Sequence, residues 1–166
     1  MSQNTQFLGS YQEVTVFYDS TKNDLATAVD ASVAVGDVVT LKDLPHADGR
    51  MIVCRPETAT LENTKFVVSA VSPEVNEFVS GSSGVRKGGN IKVIPFRTAV
   101  GFLNCSLAAT ITAQTPLSCV DGSFALDDIT ATSIDTPAKQ GAFVGWCVVA
   151  NTGTARIGAV MVGISQ

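Results

Sequence analysis

The sequence predicts an all-β fold: a single compact β-barrel or β-sandwich domain with an extended N-terminal arm and at most one or two short helices. Val and Thr dominate the composition, and long runs of Leu, Glu, Lys and Ala are missing, which favours strands over helices. Short apolar runs rich in β-branched residues also recur between clusters of turn-forming residues, a pattern typical of sandwiches and barrels.

Nine of these runs are predicted strands. In chain order they span residues 13–18, 37–41, 50–55, 65–71, 90–96, 107–113, 123–126, 142–150 and 155–164. Turn-forming residues separate them, among them Pro45, Gly49 and Pro116. The last two runs flank Asn151 and Gly153, so they predict a β-hairpin that closes the domain.

Helices are predicted at only two places. Asp24 is a suitable N-cap for a short helix that extends to Ala31. Ser72 and Pro73 fit the cap and the first position of a second helix, which would end near Phe78 because glycines follow. Neither helix is long enough to organise a fold.

Two segments differ from the strand pattern. Residues 1–12 are polar and precede the first strand, so they are predicted to form an N-terminal arm on a core domain of residues 13–166. Residues 80–90 contain four glycines and are predicted to be a flexible loop. Four basic residues without an acid lie in or just after this loop, between positions 86 and 97.

The composition excludes several classes of protein. Of 166 residues, 45% are hydrophobic and 16% are charged, whereas an average soluble domain is about 25% charged. High hydrophobicity with low charge excludes intrinsic disorder. A net charge of −4 argues against sequence-independent binding of nucleic acid, which needs a broad basic surface. The length is sufficient for one core.

Membrane and export signals are not expected in this sequence. Its most apolar stretches, residues 141–150 and 157–164, are too short for a helix that spans a bilayer. The first residues lack a basic region followed by an apolar one, so no secretory signal is predicted. The four cysteines are widely spaced, and they are expected to be reduced thiols packed as small hydrophobic side chains in a reducing compartment.

The sequence contains one histidine that could take part in catalysis. His46 lies between Asp43 and Asp48 and has the chemistry of a general base whose pKa a carboxylate raises. An exposed turn explains it better, because Pro and Gly surround it and the partners of a catalytic triad are not identified. We therefore expect no enzymatic activity and no catalytic residues.

Ligand-binding motifs are incomplete. The glycines between Gly84 and Gly89 lack the P-loop pattern that holds phosphate. Asp121, Asp127 and Asp128 lack the order of a calcium-binding loop, so we expect no metal and no cofactor. Trp146 lies in a strand that is apolar on both faces, which favours core packing, with an interface anchor as the alternative. A low-charge β domain without a chemical motif is predicted to bind other proteins.

Parts of the chain resemble the small capsid decoration (cement) proteins of tailed bacteriophages. The resemblance is carried by VAVGDVVTL at 33–41, ITAQTPLSCVDGSF at 111–124, VGW at 144–146 and VMVGI at 160–164. It extends over residues 33–54 and 91–164 as a pattern of small apolar residues and turns.

The resemblance implies a non-enzymatic virion protein that binds the outside of a phage head and stabilises it by bridging capsid subunits. It implies a homo-oligomer, with a trimer favoured, a major capsid protein as partner, and assembly in the host cytoplasm without direct contact to nucleic acid or membrane. The candidate contacts are Ser2, Gln3, Asn4, Gln6, Phe7, Tyr11, Arg86, Lys87, Lys92 and Arg97.

Two other functions stay open at this point. A tail or fibre component would be equally rich in strands, Thr, Ser and Gly. A small oligomeric β-fold enzyme with its site between subunits is the third alternative.

Overall fold

A computed structural model gives the fold of this chain. It describes residues 8–20, 32–42, 49, 51–56, 65–76, 79–81, 84–86, 88–108, 111–119, 123–129, 143–149 and 156–162. These residues form strands and two short 3₁₀ helices, at Pro73–Asn76 and Phe96–Thr98, and no α-helix is found within the described ranges. The predicted all-β fold class is confirmed.

Thirteen strands are found in the described part of the chain. They are β1 (Leu8–Ser10), β2 (Val14–Asp19), β3 (Val38–Leu41), β4 (Ile52–Cys54), β5 (Lys65–Val71), β6 (Val79–Gly81), β7 (Gly84–Arg86), β8 (Gly88–Pro95), β9 (Val100–Leu107), β10 (Pro116–Cys119), β11 (Leu126–Asp128), β12 (Phe143–Cys147) and β13 (Arg156–Val162).

The first barrel closes in the order β2-β4-β3-β5-β8. Strands β2 and β4 are parallel, and the other neighbours are antiparallel, including β8, which returns to β2 and closes the ring. Its interior is filled by large apolar side chains from every strand. These include Val16, Tyr18, Val39, Val53, Phe66, Val68, Ile91 and Val93.

The second barrel is formed by the later strands, in the order β9-β11-β10-β12-β13. The pairing of β13 with β9, which runs from Arg156↔Leu107 to Val162↔Gly101, closes this ring. Strand β1 is added to the outside of the ring, where Leu8 pairs with Phe102. The interior contains Leu103, Cys105, Leu107, Leu117, Cys119, Leu126, Val144, Cys147, Val160 and Val162.

The two barrels share a hydrophobic core. Val38, Val67 and Ile94 lie side by side on β3, β5 and β8, and all three are fully buried. They belong to the core of the second barrel, although their strands form the wall of the first. Because strand side chains alternate between faces, Val38, Val67 and Ile94 bury the outward side of these strands against the second barrel, while the residues next to them fill the first.

The backbone of residues 36–38 joins the two barrels. On the side of the first barrel, the Gly36 N–H donates to the carbonyl of Val68 at 2.8 Å. On the side of the second, the Gly36 carbonyl accepts the Ser106 N–H at 2.7 Å, and the Val38 N–H donates to the carbonyl of Phe124 at 2.7 Å. We call residues 36–38 the seam.

The side chain of Asp37 strengthens the seam. Its carboxylate accepts the backbone N–H of Ala34 and the hydroxyl of Ser106, each at 2.8 Å. Burial raises the pKa of Asp37, and these two hydrogen bonds oppose that shift because they favour the charged carboxylate. The carboxylate therefore holds a turn of the first barrel against β9 of the second.

Several predicted elements agree with the structure. The run 65–71 is β5 itself, and the closing hairpin is confirmed by the antiparallel pairing of Trp146 with Met161. The helix predicted to begin at Pro73 is found as the 3₁₀ helix Pro73–Asn76. The helix predicted at 24–31 lies outside the described residues.

Other elements differ from the prediction. The strand predicted at 107–113 is wrong in position. The strand in this part of the chain is β9, which begins at Val100 and ends at Leu107. Within the predicted flexible loop 80–90, β6 and β7 pair as an antiparallel ribbon and β8 begins at Gly88. Glycine fits at that start because a Cβ on Gly88 would lie 2.8 Å from the carbonyl oxygen of Tyr18. Within the predicted arm, β1 pairs with β9.

We predict that Gly36→Ala destabilises the fold. Gly36 has φ +93°, a region that costs an L-residue roughly 1–2 kcal/mol. A Cβ would also lie 3.0 Å from Cδ1 of Ile157, which must then move. Urea unfolding should show a loss of about 2 kcal/mol, and its matched control is Gly49→Ala, because Gly49 has φ +82° and nothing within 4 Å. An equal loss in both variants would contradict packing at the seam.

We also predict a pH dependence from Asp37. Its folded-state pKa lies above the ordinary value of 3.8, so the folded chain holds this proton more tightly than the unfolded chain. The contribution of this proton to the free energy of unfolding is complete when the pH is below the pKa of Asp37 in the unfolded chain. It is lost as the pH rises through the pKa of Asp37 in the folded chain.

Asn at position 37 removes the charge, and its oxygen can accept the Ala34 N–H while its amide nitrogen donates to the Ser106 hydroxyl, which then acts as the acceptor. The unfolding free energy of the wild type relative to Asp37→Asn should therefore fall as the pH rises above about 4. Asp37→Ala should cost about 1–3 kcal/mol, because it leaves the Ala34 N–H and the Ser106 hydroxyl unpaired. A pH-independent difference between wild type and Asp37→Asn would refute the buried carboxylate.

Candidate interaction surface

The outward face of the second barrel is apolar, beginning with β9. Burial alternates strictly along this strand: Leu103, Cys105 and Leu107 point inward and are buried. Val100 and Phe102 point outward, with 54% and 37% of their surface exposed. Asn104 and Ser106 continue this outward face as uncharged polar residues.

Neighbouring strands extend this face across the sheet. Phe102 pairs with Met161 on β13, Met161 with Trp146 on β12, and Trp146 with Pro116 on β10. This row of hydrophobic side chains therefore runs around the outside of the closed barrel, across four of its five strands. Ile157 lies near the end of the face that borders the seam.

Two aromatic rings lie at one side of this row. The rings of Phe143 and Trp146 meet edge to face, with their centroids 5.3 Å apart and an angle of 67° between their planes. Phe143 is exposed and Trp146 is half-buried. The structure thus gives Trp146 an outward position, and the interface-anchor interpretation is the one it supports. Aromatic side chains of this kind are enriched at the centres of protein interfaces.

We call this surface the apolar face. Its members are Val100, Phe102, Pro116, Phe143, Trp146, Val148, Ile157, Ala159 and Met161. None of these nine side chains is charged. Val148 extends the row next to β13, since its N–H donates to the carbonyl of Ala159 at 2.9 Å. Single exposed apolar residues are common, but a contiguous set on one sheet is typical of a binding surface.

The predicted capsid contacts lie elsewhere. Tyr11 follows β1 and is exposed, with 42% of its surface accessible. Lys92 is exposed on β8 of the first barrel, with its Nζ 3.9 Å from Oε2 of Glu13. Arg97 is exposed in the second 3₁₀ helix, and Arg86 is in β7. The contacts predicted at Ser2, Gln3, Asn4, Gln6, Phe7 and Lys87 lie outside the described residues.

Lys92 and Arg97 face different surroundings. Lys92 borders a shallow cavity of about 270 Å³ that Thr15, Ser72 and Asn90 also line. Arg97 acts electrostatically on Lys65, a buried residue of β5 whose pKa is lowered mainly by burial and further by this arginine. The two residues therefore contribute to separate parts of the surface.

All four cysteines are buried thiols that form no disulfide, as predicted. Burial raises the pKa of Cys105 strongly and also raises that of Cys147. The Sγ of Cys147 donates a hydrogen bond to the carbonyl of Val149 at 3.0 Å. Three of the four, Cys105, Cys119 and Cys147, belong to the shared core and pack there as small hydrophobic side chains.

The other chemical candidates are placed as follows. His46 and Asp121 lie outside the described residues. Asp127 accepts the backbone N–H of Asp128 on its Oδ1 at 2.7 Å. In the described ranges, no group of three or more side chains is placed to hold a metal ion. Nor does any helix in those ranges have the length and hydropathy needed to cross a bilayer.

Sequence reasoning missed the apolar face. The sequence does contain a period of two in residues 100–106, which is typical of a strand. In a strand, Val100 and Phe102 would lie on one face, and Leu103 and Cys105 on the other. That segment was not predicted as a strand, so its two faces were not separated. The second half of the face, on 157–161, was predicted as a strand, but its partner was expected to be the hairpin strand alone.

We predict that the native protein reacts very slowly with a thiol reagent. Its thiols are buried, and those whose pKa is raised contain little of the reactive thiolate at neutral pH. Absorbance with Ellman's reagent should show almost no fast-reacting thiol in the native state and four in denaturant. A fast-reacting thiol in the native protein would contradict this packing.

No protein-family model matches this chain, and no curated protein matches it either.

Proposed function

We propose that this chain is a structural virion protein that binds the outer surface of a tailed-phage capsid and stabilises the head by bridging capsid subunits. The observation that carries the proposal is the apolar face of the second barrel. The proposal includes a major capsid protein as partner, a homo-oligomeric state and a location on the virion exterior, without enzymatic activity.

The apolar face supports a role in protein assembly. A sheet surface with three aromatic residues and several aliphatic side chains is costly to expose to water, at roughly 25 cal/mol for each Å². Soluble monomers rarely leave a continuous surface of this kind uncovered. The low charge of the chain, 16%, fits the same conclusion, because surface that is covered by protein needs fewer charges.

The segments that carry the resemblance also support the proposal. Residues 33–41 contain the seam and β3, while residues 111–124 contain β10. Residues 144–146 lie in β12, and the described part of 160–164 lies in β13. These segments build the second barrel or join it to the first. The similarity to decoration proteins therefore falls on the elements that determine the fold and carry the apolar face.

The N-terminal residues are the proposed arm that reaches the capsid. Residues 1–7 precede β1, which fixes Leu8–Ser10 to the edge of the second barrel. Tyr11, just after β1, is exposed and amphipathic, which suits a contact at the rim of an interface. Lys92 and Arg97 are the exposed cations that would meet acidic capsid residues.

The test is to find the protein on virus particles. Mass spectrometry of purified particles of the phage that encodes the chain should detect many copies per head, and the purified protein should co-sediment with heads that lack it. Copies on tails alone would favour the fibre alternative and overturn capsid decoration. Failure to bind either emptied or filled heads would overturn it as well.

A pair of truncations tests the arm. Removing residues 2–7 leaves β1 in place, so the melting temperature should stay near that of the wild type while head binding weakens at least about 10-fold, since an arm contributes part of the interface. Removing residues 2–12 also deletes β1 and should lower the melting temperature. Unchanged head binding after the shorter deletion would remove the arm from the proposal.

A further inference from the structure

We propose that one rim of the second barrel binds the polypeptide backbone of a partner protein, with the side-chain amide of Gln114 paired to a peptide group and Val149 covered by the segment that carries it. We call this rim the tip. It consists of residues 112–115 and 147–149, where β10 begins and β12 ends. The inference rests on the proposed function in one respect, that the partner is a protein of the virion. It goes further by naming the contact and its chemistry.

The tip is a single site that is held together by Cys147. The backbone N–H of Gln114 donates to the carbonyl of Cys147 at 2.7 Å, and the N–H of Cys147 donates to the carbonyl of Thr115 at 2.9 Å. The Sγ of Cys147 donates to the carbonyl of Val149 at 3.0 Å. Gln114 and Val149 are therefore both bonded to one buried residue, and one partner segment can contact them together.

Gln114 has a backbone conformation that is rare for its residue type. Its φ is +66°, and among the described residues it is the only one other than glycine with a positive φ. Glycine would adopt this conformation without a steric cost. The side chain of Gln114 is exposed, and none of the described residues gives it a hydrogen-bond partner. Backbone strain at such a residue is typical of a functional site, so the unused amide is the group to explain.

The turn that carries Gln114 is fixed from within. The hydroxyls of Thr112 and Thr115 lie 2.8 Å apart and share a hydrogen bond across it. Thr115 is buried, whereas Thr112, Ala113 and Gln114 are exposed. A side chain on a turn that is already ordered loses less conformational entropy on binding, which suits a contact residue.

A carboxamide matches a peptide group in its hydrogen bonds. It has an NH₂ donor and a carbonyl acceptor, so it can bond the C=O and the N–H of one residue at once, and it brings no charge that must be desolvated. This chain contains such a pairing. The amide nitrogen of Asn76 donates to the carbonyl of Val33 and its Oδ1 accepts the Val33 N–H, each at 2.8 Å. Gln114 presents the same group to solvent, on a side chain that is one carbon longer.

Val149 supplies the apolar part of the contact. It exposes 62% of its surface, the largest fraction among the large hydrophobic side chains of the described residues. A segment bound to the Gln114 amide would remove Val149 from water, because both residues are bonded to Cys147. The chemistry that fits the tip is an extended protein segment with an unpaired peptide group beside a small apolar side chain.

Two substitutions of Gln114 separate binding from stability. Gln114→Glu keeps the shape of the side chain but removes the NH₂ donor, and Gln114→Gly removes the side chain and relieves the positive φ. Both should weaken partner binding about 10-fold or more, because hydrogen bonds to the partner are lost. The melting temperature should stay near that of the wild type in Gln114→Glu and should not fall in Gln114→Gly. A fall in Gln114→Gly would overturn the inference, because the side chain would then support the turn.

Val149→Asp tests the apolar part of the contact. It places a charge where the partner segment would cover the side chain, so it should also weaken binding about 10-fold or more. The matched control is Met51→Asp, because Met51 is an apolar residue next to β4 of the first barrel that exposes 40% of its surface. Circular dichroism establishes that both variants fold. An equal loss of binding in both would overturn a contact at the tip.

Binding is measured by co-sedimentation with purified heads that lack the protein and, separately, with purified tails of the same phage. Heads should bind the wild type and Met51→Asp with equal affinity. They should bind the Gln114 and Val149 variants more weakly.

The outcomes distinguish this inference from the proposed function. Heads that bind the wild type and all variants equally would overturn the contact at the tip while leaving capsid decoration in place. Binding to tails alone, with the same losses in the Gln114 and Val149 variants, would overturn capsid decoration and support the contact at the tip. A wild type that binds neither heads nor tails would overturn both.

Discussion

The rest of the structure depends on the backbone of residues 36–38. Through Gly36 these residues bond to β5 on one side and to β9 on the other, and through Val38 they bond to the segment before β11. Each of these hydrogen bonds joins parts of the chain that are more than 30 positions apart. Asp37 adds a carboxylate that both barrels satisfy. A left-handed glycine and one short polar side chain thereby determine how the two barrels are set against each other.

The seam also determines which surfaces are available for binding. Since Val38, Val67 and Ile94 on β3, β5 and β8 pack against the second barrel, the first barrel presents apolar side chains both inward and toward its neighbour. The second barrel fills its interior with the same kinds of residue but also carries a second hydrophobic set on the outward side of β9, β12 and β13. The contrast separates side chains that are buried within the molecule from hydrophobic side chains that stay exposed on its surface.

The sequence was sufficient to predict the fold class and the local elements. Lys65–Val71, the closing hairpin and the turn at Pro73 were predicted from β-branched runs and turn residues, which act over a few positions. The partition into two barrels was not predicted, because the row of Val38, Val67 and Ile94 forms only when distant strands pair. The apolar face was missed for a related reason: β9 mixes Gly, Asn and Ser with large side chains, so the segment was not predicted as a strand and its two faces were not separated.

The pairing of β1 with β9 has a consequence for how the molecule forms. Leu8 is synthesised 94 positions before its partner Phe102. The hydrogen bonds of the seam likewise form only after Ser106 and Phe124 have been synthesised. Contacts that are so distant in sequence have a large entropic cost of loop closure, which makes folding slow. The outward side of β9 and β13 is therefore completed only after β13 has been synthesised, and β13 begins 49 positions after the end of β9.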